Sequence, residues 1–172
     1  MNIFVTSNCP IKCAKNLDDK RVIKMVLETA QMLCTALNLQ GQQTPYKSTH
    51  ANHPANIWAR ETKSNWVWLW DHGIALCSEY TSRYGKTHKC EKVIKDLFKL
   101  KDSIPEGPIT PFANCAANKS IGVNYKHIKD TLIAYQLYLK DRWRTDKRPP
   151  TWHKKHITID ALFMPVIQEN NQ

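Results

Sequence analysis

Glycine is scarce in this chain. Its five glycines among 172 residues are scattered, so there is no Gly-rich loop to cradle a nucleotide phosphate. No Cys-x-x-Cys pair occurs among the cysteines at 9, 13, 34, 77, 90 and 115, which argues against a structural zinc site. No Ser-His-Asp signature and no internal repeat is found. No apolar run approaches the ~18 residues of a membrane span. Met1-Asn2-Ile3-Phe4-Val5-Thr6-Ser7 has neither a basic start nor a long apolar run, so no signal peptide is expected. A reducing cytoplasm with free thiols follows, with Cys34, Cys77 and Cys90 on apolar helical faces. Acid is also in deficit, with 15 Asp and Glu against 25 Lys and Arg and a net charge of +10. That excess favours a polyanionic partner, nucleic acid before membrane. The alternative is a basic enzyme without such a partner.

The length suits one domain spanning 1–172 with its own core. Leu17 to Leu37 has no Gly or Pro and is rich in helix formers, which predicts a helix of roughly six turns. Asn16 or Asp18 is the expected cap, and Gly41 follows the end. Val22, Ile23, Met25, Val26, Leu27, Ala30, Leu33, Cys34, Ala36 and Leu37 cover most of the circumference, so burial on most sides is expected. One stripe is polar: Lys20, Lys24, Glu28, Gln31 and Thr35 recur at spacings that align them on one face. This stripe reads either as a solvated face with ordinary ion pairs or as a cleft floor gathering amines and a carboxylate. In a cleft, an unprotonated amine is a nucleophile toward a sugar carbon, with Glu28 as acid/base partner.

Ahead of that helix, Met1 to Val5 reads as an edge strand or an extended arm. Asn2 disfavours methionine removal, so the α-amine of Met1 is expected to persist; such an amine holds its proton less tightly than a lysine. Cys9 to Asn16 reads as a loop or single turn. Beyond the helix, Gln40 to Asn56 is a polar connection whose His50 and His53, with Gln31, suggest a polar pocket. Metal ligation by the two histidines is not expected, because no Cys or acidic partner is near. Pro54 to Tyr84 is predicted helical with a break near Thr62 to Ser64. Its Trp58, Trp66, Trp68 and Trp70 are core, with one or two available to stack on a base. Arg60, Lys63 and Asn65 are candidate phosphate contacts. Thr87 to Leu100 and Asn124 to Lys140 are predicted helices, separated by a proline-punctuated loop. Between Lys126 and Lys155, nine Lys or Arg face three Asp, with Trp143, Trp152, His153 and His156 interleaved. A basic, aromatic segment at about 141–156 suits phosphate contact and base stacking, or is simply a solvated tail.

These residues carry a resemblance. Leu17, Asp19, Lys20 and Arg21, with Glu28 seven residues on, resemble the active-site helix of the phage pyrimidine-dimer DNA glycosylase/AP lyase family of the endonuclease V type. That family has a leucine and an Asp-Gln-His run before its catalytic glutamate. Trp66 to Gly85 is similar to the family's aromatic-rich long helix, and Arg148-Pro149-Pro150-Thr151-Trp152 to its Arg-Pro-Thr-Trp-Tyr. The family's nucleophile is the α-amine of an N-terminal Thr, where this chain has Met1. Leu27 and Gln31 stand where the family has arginines, and Arg21 where it has a histidine.

The expectation is therefore a mainly α protein of about four or five helices around the Leu17 helix. The expected function is DNA glycosylase activity, with AP-lyase activity where an amine attacks C1′. Met1 is the first nucleophile, Lys24 and Lys20 the fallbacks, and Glu28 the assisting carboxylate. Arg21, Arg60, Arg148, Lys154 and Lys155 are expected on phosphates, and Trp152 near the DNA. No cofactor is implied, and the expected partner is damaged or modified double-stranded DNA bound by a monomer, in the host cytoplasm if phage-encoded. Two alternatives stay open: a non-catalytic nucleic-acid-binding protein of the same fold, and an enzyme of free nucleosides or nucleotides.

Overall fold

A computed structural model describes residues 1–153, 159, 162 and 163. It is mainly α-helical: α1 (Pro10–Asn16), α2 (Asp19–Asn38), α3 (Pro54–Glu61), α4 (Lys63–Tyr84), α5 (Glu91–Leu97) and α6 (Thr131–Thr145). A 3-10 helix, Phe98–Ser103, extends α5. The only strands among the described residues, β1 (Ala117–Asn118) and β2 (Val123–Asn124), pair antiparallel.

The helix predicted from Leu17 is α2. It packs on α4, and on α3 and α5 beside it. Val22, Val26, Ala30, Leu33 and Leu37 lie on its fully buried face. Ile23 and Leu27 correct the expectation of burial on most sides: they are 42 % and 40 % exposed. They flank the Lys20–Lys24 stripe at helical spacing. Asp18 occupies the N-cap position, but its side chain makes no cap bond. It serves remote partners instead, described below. The segment before α2, expected as a loop or single turn, is the two-turn helix α1, started by Pro10 in the first turn.

Thr62 breaks the Pro54–Tyr84 stretch. Its backbone is extended, and its Oγ1 accepts from the Asn65 N–H to cap α4 while donating to the Pro108 carbonyl. Gly85, at φ +68°, ends α4 in the left-handed conformation. Cys34, Cys77 and Cys90 are buried, as their faces predicted. Five of the six tryptophans are buried, as expected of core residues, and Trp70 is half-buried. All six indole N–H groups donate within the protein, Trp58 to Thr110, Trp66 to Leu33, Trp68 to Asn8, Trp70 to Ile94, Trp143 to Asp18 and Trp152 to Asn16. Asn65 is equally internal, bonded to Trp58 and Thr110, and Lys63 pairs with Asp102 and Glu106.

The last helix starts later than predicted. Residues 117–124 form the β1–β2 hairpin, and Asp130 caps α6 by accepting from the N–H groups of Leu132 and Ile133. The helix consequently runs on to Thr145, so Arg142 and Trp143, expected in a basic loop, are helical.

One buried group makes stability pH-dependent. His72 is fully buried, stacks on Trp68, and donates from Nδ1 to the Pro10 carbonyl at 3.0 Å. Burial pulls its pKa down from 6.5 to about 4. The unfolded chain takes up the proton below about pH 6.5, whereas the folded chain resists until about 4. Stability is therefore full above pH 6.5 and falls between 6.5 and 4, by on the order of 3 kcal/mol. Denaturant titrations at pH 7 and 5 should show the loss, and His72→Phe should flatten it.

Candidate active site

The N-terminal residues form the arm expected as one of two options, with no strand pairing. Asn2 Oδ1 accepts from the N–H groups of Ile3 (2.8 Å) and Phe4 (3.3 Å), a local turn that bends the chain. Phe4 sits at φ +58°, a strained value for a bulky residue. Packing holds it there: its ring stacks on Tyr138 and meets Tyr135 edge-on, both from α6. Gln136 of α6 donates to the Thr6 carbonyl behind it. The arm is thus clamped by α6, and its first residue reaches α2. The α-amine of Met1 lies 3.9 Å from Glu28 Oε1.

That pair borders a cavity of about 390 Å3. The stripe of α2 supplies Lys20, Lys24 and Glu28 to the wall, the arm Met1 and Asn2, the start of α3 His53, and β1 Asn118. Tyr138 and Arg142, one turn apart on α6, close the far side. Glu28 is largely buried, with 19 % of its side chain exposed, while Lys20 and Lys24 are exposed. One carboxylate therefore faces several cationic groups. The stripe is a cleft wall along its first half. Its second half is not: Gln31 is half-buried outside the cavity lining and Thr35 is buried, bonded to the Gln31 carbonyl and the Thr49 N–H.

Of the two loop histidines, only His53 reaches the cavity. Its Nδ1 accepts from the Ala55 N–H at 3.1 Å, capping α3. Burial, with the Met1 α-amine, His50 and Lys126 adding to it, holds its pKa below the ordinary histidine value. His50 is exposed, at φ +47°, and bonds Thr49 Oγ1 through Nδ1.

Several residues expected to contact DNA have partners within the protein. Arg21 is 6 % exposed and donates to Asp18 Oδ1 (3.1 Å) and to both Asp146 oxygens (2.9 and 3.3 Å). Its guanidinium borders the cavity with its charge already matched by two carboxylates. Arg60 donates to the Ala51 carbonyl at 2.6 Å and pins the loop before α3. Trp152 is 5 % exposed and packs edge-on against Trp143. It belongs to a strap on the α1–α2 junction, where Asp19 accepts from Thr151 Oγ1, the His153 N–H and Arg83. Lys154 and Lys155 lie outside the described residues. Arg148 is exposed and borders an open groove with Lys147, Thr145 and Asp146. Lys20 and Arg142 line both this groove and the cavity, so the two adjoin at these side chains. The sole acid among the groove's lining residues, Asp146, already binds Arg21.

Sequence reasoning missed Asn118, Tyr138 and Arg142. The i,i+4 spacing of Tyr138 and Arg142 was a signal, but the late start of α6 hid which face they shared. Among the described residues, no three His, Cys, Asp or Glu side chains are grouped to hold a metal, and no helix is long and apolar enough to cross a membrane.

Comparison with curated proteins and with solved structures returned no match. The sequence profile of one family, described as pyrimidine dimer DNA glycosylase, matches residues 1–92. The matched stretch contains the arm, the whole of α2 with Glu28, and His53. On that match, which covers more than half of its length, the chain belongs to the pyrimidine dimer DNA glycosylase family.

Proposed function

We propose that the chain excises a damaged or modified pyrimidine from double-stranded DNA by attack of an amine at C1′, and that it then acts as an AP lyase. The observation that carries this reading is the 3.9 Å approach of the Met1 α-amine to Glu28 on the wall of a basic cavity. The unprotonated amine attacks C1′; the C1′–base bond breaks, and its electron pair leaves with the base. Glu28 takes the proton released by the amine and supports positive charge on the sugar. Returned to O4′, the same proton opens the ring and leaves an iminium linking protein to DNA. Lys24 and Lys20 border the same cavity and are the alternative amines.

The damaged nucleotide or its partner must leave the base stack for C1′ to reach such a cavity. The groove from Lys20 and Arg142 to Lys147 and Arg148 suits the phosphates of the strand that carries it. Replacing Lys147 and Arg148 together by Gln should lower the slope of log affinity against log salt by about 1 to 2. An unchanged slope in a salt titration would remove these two from the interface.

Borohydride trapping on duplex DNA, with and without ultraviolet damage and at two salt concentrations, tests the chemistry. The expected result is a covalent adduct on damaged DNA only, lost when the N-terminus is acetylated. An adduct that survives acetylation would move the nucleophile to Lys24 or Lys20. Salt-sensitive binding with neither adduct nor excision would mean a binding protein of the same fold, and no binding at all an enzyme of free nucleotides.

A further inference from the structure

We propose that His53 stabilises the departing pyrimidine by a hydrogen bond from its Nε2–H to the base oxygen O2, a role that rests on the glycosylase reading above. In the amine mechanism two charges develop at once. The sugar becomes cationic, and Glu28 answers that. The electron pair of the broken C1′–N1 bond spreads over the pyrimidine ring and onto O2, and a carboxylate cannot answer that charge, because it is acceptor-only. A donor on another wall is required.

His53 meets the requirement on three counts. Its ring lines the cavity shared by Met1 and Glu28, close enough to the α-amine for their charges to oppose each other. Lys20 and Arg142 extend into the groove, but His53 borders the cavity alone of the two spaces. Its tautomer is set by the fold: Nδ1 accepts from the Ala55 N–H, so the proton of the neutral ring sits on Nε2.

The third count is rigidity. Asn56 Nδ2 donates to the carbonyls of Thr49 (3.2 Å) and His50 (2.8 Å), and Arg60 donates to that of Ala51. Three side-chain bonds from α3 thus hold the loop that delivers the ring. A donor fixed before the reaction needs no reorganisation as charge develops. Burial and the surrounding cations disfavour the charged form of the ring. No proton moves from His53; the pyrimidine leaves as an anion and is protonated by water.

His53→Asn is the test, since Asn is a strong N-cap and keeps the bond to Ala55 while removing Nε2–H. Single-turnover excision from ultraviolet-damaged duplex should fall on the order of 100-fold, the effect of losing one such donor. Affinity for the damaged duplex, and borohydride adduct formation at a pre-formed abasic site, where no base departs, should stay within about threefold. Excision at the wild-type rate would overturn the proposal. So would an equal loss of excision and abasic-site adduct, which would mark a purely structural role. A wild-type chain that excises nothing but binds DNA would overturn the glycosylase reading itself, and this proposal with it.

Discussion

Replacing Glu28 by Gln is expected to abolish turnover on damaged duplex while leaving DNA affinity within a few-fold. The substitution keeps the shape of the side chain and removes its charge and basicity. Positioned acid/base groups typically contribute 10²- to 10⁴-fold, so the expected loss is on the order of 1,000-fold. Binding should survive because the cationic residues of the cavity and groove are untouched: Lys20, Lys24, Arg142, Lys147 and Arg148. Removing that carboxylate also raises the positive field of the wall, which tightens phosphate binding at low salt. Single-turnover excision and equilibrium titration of the same duplex separate the two quantities. Normal turnover by the variant would take Glu28 out of the mechanism. It would also leave the 3.9 Å approach of the Met1 amine as an ion pair that anchors the arm and nothing more.

Arg21→Ala should produce the largest loss of stability, about 3 to 5 kcal/mol, because it breaks a buried charge network from one side. Asp18 is 2 % exposed and relies on Arg21 Nη1 and the indole N–H of Trp143. Without the guanidinium, its carboxylate stays buried with one neutral donor, and Asp146 at the end of α6 loses both of its bonds to Arg21. Of this network only the Trp143–Asp18 hydrogen bond then ties the start of α2 to the end of α6, and both contribute walls to the cavity. For a chain of this size, each kcal/mol moves the melting temperature by about 2–4 °C, so a fall on the order of 10 °C is expected. Thermal unfolding gives the value. If Arg21 instead held a phosphate, the variant would keep its melting temperature and lose a unit of salt slope.

How far the sequence could be read follows from how local each feature is. Helix α2 and its polar stripe were legible because helical hydrogen bonds and i,i+4 neighbours are set within a few residues. The break at Thr62 and the stop at Gly85 were legible for the same reason: a capping hydroxyl and a left-handed glycine act on adjacent backbone. The roles of Arg21, Arg60 and Trp152 were not. An arginine reads alike whether it meets a phosphate or a carboxylate, and Asp146, the partner that decides, stands 125 residues from Arg21. Nor does a Trp within a basic segment announce that its indole N–H donates to Asn16.

The sequence by itself determined a basic, helical chain whose polar stripe puts two amines and a carboxylate on one face of α2. It also carried the family match over residues 1–92. Only the tertiary structure decided that the Met1 amine meets that carboxylate, because the meeting depends on the turn at Asn2 and on Phe4 being held between Tyr135 and Tyr138. It likewise decided that His53 faces the same cavity and Gln31 does not. The reason is the range of the forces: backbone hydrogen bonding shapes a helix from its own residues, whereas a cavity is made by packing between segments remote in the chain.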